Sequence, residues 1–116
     1  MNICNIRFIP FPTDGEQTIV RSDCVLFCRS AGECTQVALC DGSFIEAICC
    51  LNTMEQLLED SSFFRCHPLY LINGENVKEL FVDGTSLYAR TYSGNSIPVS
   101  IEYCRNVNGY LRKLIV

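Results

Sequence analysis

His67 is the only histidine in the chain, and a thiol, Cys66, stands directly before it in the run Phe63-Phe64-Arg65-Cys66-His67-Pro68-Leu69-Tyr70-Leu71-Ile72-Asn73. A cysteine beside a histidine raises the question of nucleophilic catalysis, in which the imidazole takes the thiol proton. Adjacency argues against it. Successive residues of an extended chain point to opposite faces, so the two side chains diverge. There is also no Gly-x-Gly-x-x-Gly, no phosphate loop and no His-Glu-x-x-His. The Glu59-Asp60 pair reads as a solvated helix end. The chain is not expected to be an enzyme, and no cofactor is expected.

Nine cysteines are many for 116 residues. The odd count argues against a complete disulfide framework, and a cytoplasmic chain keeps its thiols reduced. Metal is the alternative, but there is no Cys-x-x-Cys pair of the kind structural zinc prefers. The thiols are expected to pack as small apolar side chains, with no metal site.

The net charge of −4 is unevenly spread. Residues 1–64 hold three basic and nine acidic side chains, whereas residues 65–116 hold six and four. Nucleic-acid binders usually present a basic face, because phosphate contacts supply most of their affinity. The total is against that class and the C-terminal half mildly for it. No apolar run reaches the roughly 18 residues of a membrane span. Met1-Asn-Ile-Cys-Asn-Ile-Arg lacks the features of a signal peptide, so a cytoplasmic location is expected.

The elements that must position the His67 stretch follow from periodicity. Cys4, Ile6 and Phe8 alternate with Asn5 and Arg7, which predicts a half-buried strand stopped by Pro10 and Pro12. Short strands are expected at 18–20 and 24–28, then a loop at 30–33. Strands at 35–40 and 43–48 flank Asp41-Gly42, a hairpin signal. Asn52 followed by Glu55 has the pattern of a capping box, predicting a helix from Thr53 to Glu59. The segment Arg65-Cys66-His67-Pro68 is expected to be an exposed loop between buried ends. Strands at 69–72, 77–82, 86–92 and 97–99 follow, with a turn at Asp83-Gly84. Ser100 is expected to cap a last helix carrying Cys104, Val107, Leu111 and Leu114 on its apolar face.

This order of elements resembles the LytTR DNA-binding domain of bacterial transcriptional regulators. The likeness rests on Leu51, Leu57, Leu58, Phe63, Phe64, Arg65, His67, Tyr70, Leu71, Asn73 and Val77, and on Ile97-Pro98-Val99-Ser100, and runs from about Val20 to Leu114. It implies a mainly β, elongated antiparallel fold with a short central helix and a C-terminal helix. Residues 20–116 would form the DNA-binding domain, with 1–19 an N-terminal strand-and-turn extension. It also implies a sequence-specific, DNA-binding transcriptional regulator that inserts loops into the major groove of double-stranded DNA.

Three loops would then face DNA, through Cys34 and Thr35, through Arg65 and His67, and through Ser100, Glu102 and Arg105. The chain departs from the family pattern within those loops. Glu33-Cys34-Thr35 replaces a basic or histidine side chain, and Ile101-Glu102 replaces basic residues. Pro68 stands where an Arg or Asn often reaches the groove, and it has neither a side-chain donor nor a backbone N–H. These departures favour a second reading: a protein–protein interaction module on the same fold that does not itself bind DNA, pairing with a second copy or a full-length regulator.

Overall fold

The computed structural model describes residues 7–59, 61–106 and 108–109. Among the described residues, ten strands and the helix α1 follow the order β1 (Phe8–Thr13), β2 (Glu16–Arg21), β3 (Val25–Ala31), β4 (Cys34–Leu39), β5 (Phe44–Ala47), α1 (Leu51–Leu57), β6 (Phe63–His67), β7 (Tyr70–Asn73), β8 (Val77–Asp83), β9 (Ser86–Thr91) and β10 (Ser96–Val99), with further helical residues after β10. Short 3-10 turns occupy Ser22–Cys24, Gly74–Asn76 and Ile101–Tyr103. Every strand pairing is antiparallel. The mainly β, antiparallel class expected from the sequence is the one observed.

A five-stranded sheet, ordered β5-β4-β3-β7-β6, lies between two covers. The β1–β2 ribbon and α1 cover one face, burying Phe11, Val25, Val37, Met54, Leu58 and Leu71 in one core. The three-stranded sheet β10-β9-β8 covers the other, burying Phe27, Cys66, Ile72, Ala89, Ile97 and Val99 in a second. β3 is central and covered on both faces, so Val25-Leu26-Phe27-Cys28 is a continuous apolar run rather than an alternating one.

Pro10 and Pro12 do not stop the first strand; they lie within β1. Two residues apart, they put both missing N–H groups on one edge, and β1 pairs with β2 only along the other. Residues 4–6 of the expected strand lie outside the described residues. The helix starts two residues early, at Leu51 with Cys50 as its cap, so Asn52 is inside it and no capping box forms. At the C-terminal end, residues 104–106 and 108–109 are helical, and the rest of the expected helix lies outside the described residues.

Asn73 locks the central turns together. It is fully buried, and its Nδ2 donates to the carbonyls of Ser22 and Val25 at 3.2 and 2.9 Å. Its Oδ1 accepts from the Ser62 hydroxyl and from the Glu75 backbone N–H. One amide side chain thus binds four groups, three of them main-chain, and shares the Val25 carbonyl with Asn76 Nδ2 at 3.0 Å and the Ser22 carbonyl with the Val25 N–H.

Candidate nucleic-acid interface

The β6–β7 hairpin carries a β-bulge between Arg65 and His67: Arg65 pairs with Leu71 and His67 with Tyr70, leaving Cys66 as the extra residue. Arg65 faces α1, on the same side as Phe63, and Cys66 faces the three-stranded sheet; both faces of β6 are covered there, so both residues are buried, and the expected exposed loop shrinks to the turn Pro68–Leu69. Burial pushes the Cys66 thiol up to about 12.

Arg65 lies inside this corner, 9 % exposed. Its Nη1 donates to Glu55 Oε1 at 2.7 Å and to Asn52 Oδ1 at 3.0 Å, both on α1. Its Nε donates to the His67 carbonyl at 3.0 Å, and Nη2 donates to the Pro68 carbonyl. The guanidinium thus ties the helix to the turn. Its Cζ also lies 5.9 Å from the centre of the Tyr103 ring. The resemblance implied a DNA-facing Arg65; instead the side chain lies on the face of β6 that α1 covers and points inward.

The turn is fixed from within as well. The Leu69 backbone N–H donates to His67 Nδ1 at 3.1 Å, which leaves Nε2 as the outward nitrogen of a half-buried ring. The ring meets Tyr70 edge-on, with centroids 5.6 Å apart.

Two backbone hydrogen bonds bring the neighbouring segments to the same corner. Ser30 N–H donates to the Leu69 carbonyl at 2.9 Å, seating the β3–β4 turn beside the β6–β7 turn. Ser100 N–H donates to the Cys66 carbonyl at 2.9 Å, seating the segment after β10 on the other side. Asn106 Nδ2 adds a bond to the Arg65 carbonyl at 3.0 Å. Three connections distant in sequence, Ala31–Cys34, His67–Leu69 and Ser100–Arg105, therefore form one continuous edge.

Of the residues singled out from the sequence, His67, Cys34, Ser100, Glu102 and Arg105 lie on this edge. Cys34 is half-exposed, while Glu102 and Arg105 are exposed. Thr35 does not face outward: it is fully buried, and its hydroxyl donates to the Cys49 carbonyl at 2.9 Å. Its position follows from strand alternation, which turns Thr35 in where Cys34 sits at the turn. Ser100 caps through its backbone only: its carbonyl accepts from Tyr103 N–H, while the buried Oγ has no hydrogen-bond partner among the described residues.

The edge also carries two exposed apolar residues: Leu69, which the resemblance did not place against DNA, and Ile101, which it placed in a DNA-facing loop as the replacement of a basic residue. Ile101 is 90 % exposed and Leu69 51 % exposed. Their signal was indirect: each sits beside a position the sequence did mark, Leu69 after Pro68 and Ile101 after Ser100.

Charge on the edge is mixed. Arg29 and Arg105 flank it, with the Arg29 guanidinium held by the Gln36 side-chain oxygen. Glu33 and Glu102 sit on it, both exposed. Two other described cations are engaged elsewhere: Arg21 with Asp23 at 2.9 Å, and Arg90 with Glu79 at 3.4 Å while stacked over Phe81; exposed Lys78 lies on β8. Arg112 and Lys113 lie outside the described residues. No cluster of three or more metal-binding side chains occurs among the described residues. None of the described helices is long and apolar enough to cross a membrane.

A family model described as the LytTr DNA-binding domain matches residues 15–112. Among solved structures, the chain is similar to one described as the LytTr DNA-binding domain of a methyl-accepting/DNA response regulator from Bacillus cereus. The two share 22% identity and a TM-score of 0.74, over 90% of this chain and 95% of that chain. No curated protein sequence matches.

Proposed function

The chain belongs to the LytTr DNA-binding domain family, and from that premise we propose that it is a sequence-specific DNA-binding transcriptional regulator. It lays the edge formed by Ala31–Cys34, His67–Leu69 and Ser100–Arg105 into the major groove of double-stranded DNA, in the cytoplasm. Residues 20–116 form the DNA-binding unit, and 1–19 extend it.

The observation that carries this reading is the single continuous edge. Two backbone hydrogen bonds, Ser30 to Leu69 and Ser100 to Cys66, align three separate turns there. A rigid body with aligned protruding loops suits a groove. His67 Nε2 and Arg105 supply donors, and Arg65 positions the central turn from behind rather than touching DNA.

One observation favours a second reading. Glu33 and Glu102 lie on the edge, and no contiguous basic ridge runs beside His67 among the described residues. On that reading the same edge, or an exposed strand, docks on a second copy or on a full-length regulator.

Fluorescence anisotropy with random duplexes, from low to rising salt, separates the two. With three phosphate contacts the logarithmic salt slope is about −3. Arg105→Ala should make it shallower by about one. No binding at low salt would reject the DNA reading and leave the protein-partner one.

A further inference from the structure

The edge is unusual in its chemistry. Apart from Arg105 at one end, its exposed side chains are Ala31, Glu33, Pro68, Leu69, Ile101 and Glu102, with Ile101 at 90 %. None of these six donates a hydrogen bond. Solitary exposed aliphatics need no explanation. Leu69 and Ile101 share one edge: Leu69 N–H donates to His67 Nδ1, and the residue before Ile101 donates its N–H to the Cys66 carbonyl.

In the major groove, guanine offers two acceptors and must be read by donors. The tips of this edge have none to offer. Thymine offers a 5-methyl group, which an aliphatic side chain can cover, and cytosine offers an amino N–H, which a carboxylate can accept. Resting on the DNA-binding reading above, we propose that Ile101 and Leu69 read thymine 5-methyl groups, and that Glu102 accepts from the amino group of a neighbouring cytosine. The preferred site is then rich in thymine and cytosine on the contacted strand, with guanine unread by these tips.

The test selects bound duplexes from a randomised pool at low salt, then rebuilds the selected duplex with deoxyuridine in place of each recurrent thymine. Uracil differs from thymine only by the methyl, so pairing and backbone charge are kept. The expected loss is about fourfold in affinity for each contacted methyl. Ile101→Ala, at a site too exposed to disturb folding, should bind the thymine and uracil duplexes equally at the position Ile101 covers. A selected duplex bound equally well with thymine and with uracil by the unaltered protein would overturn the proposal while leaving DNA binding intact. A pool from which nothing is retained at low salt would overturn the DNA reading and this inference with it.

Discussion

Arg65 Nη1 lies 2.7 Å from Glu55 Oε1, and the same guanidinium reaches the His67 carbonyl through Nε at 3.0 Å. One side chain therefore bridges α1 and the turn that carries His67. Removing it leaves the carbonyls of His67 and Pro68 short of a donor in a partly buried corner, and charged hydrogen bonds of this kind are worth more than neutral ones. Arg65→Ala should cost about 2–4 kcal/mol of stability, read as a lower urea midpoint. Glu55→Gln should cost under about 1 kcal/mol, because Glu55 is 45% exposed and the amide oxygen can still accept. Loss of DNA binding by Arg65→Ala with stability unchanged would show instead that Arg65 touches DNA.

Asn73→Ala should be among the most destabilising single changes in the chain. It removes one of the two donors from each of two backbone carbonyls, at 3.2 and 2.9 Å, frees the Ser62 hydroxyl and opens a cavity at a fully buried position. The expected loss is about 2–4 kcal/mol, measured by thermal or urea unfolding. A loss below about 1 kcal/mol would mean that water replaces the amide.

Much of this scaffold was legible in the sequence wherever the deciding signal was local. The hairpin at Asp41-Gly42 was readable because Gly42 takes a φ of +91°, which glycine adopts without strain. The switch from strand period to helix period near residue 51 was equally clear. The bulge at Cys66 was not, since nothing in Phe63-Phe64-Arg65-Cys66-His67 states that one residue is unpaired. Nor does that run state that α1 covers the face shared by Phe63 and Arg65, which is what buries Arg65. Pro10 and Pro12 misled for a related reason: whether a proline breaks a strand depends on which edge is paired, and pairing is not local. The edge itself was half legible, because His67 and Ser100 were marked by resemblance, while Leu69 and Ile101 gain meaning only once the turns are aligned.

The thiols should separate by reactivity. The Thr53 hydroxyl and backbone amides near the start of α1 hold the exposed Cys50 thiol below the usual range. Burial raises Cys28 and Cys66. Native labelling with iodoacetamide at neutral pH should therefore modify Cys50 well before Cys28 or Cys66, as read by peptide mass spectrometry. Equal rates at all three would contradict the packing described.

Alkaline pH should destabilise the fold. The Cys66 thiol ionises at about 12 when folded and at roughly 8.5 when unfolded. The unfolded chain therefore loses its proton first, so the contribution is intact below that lower value and falls away as pH rises towards the upper one. Buried Cys28 acts in the same direction. A urea midpoint that drops above roughly pH 9 in the native chain, and drops less in Cys66→Ala, is the expected result.

Glu102→Lys and Glu33→Lys, both at exposed positions, should each raise affinity for random duplexes at low salt. Each should also steepen the logarithmic salt slope by up to about 0.9 per new phosphate contact. Lys78→Ala, on the strand of the three-stranded sheet farthest from β10, should leave the slope unchanged. A slope that responds to Lys78 and not to Glu102 would put the DNA on another face.

The most direct test of the account follows backbone amides by NMR while duplex DNA is added. The account predicts that the largest shift changes fall together on residues 31–34, 67–69 and 100–105, with β8 and the β1–β2 ribbon nearly unmoved. Changes centred on β8 or on that ribbon, or no changes at low salt, would contradict it.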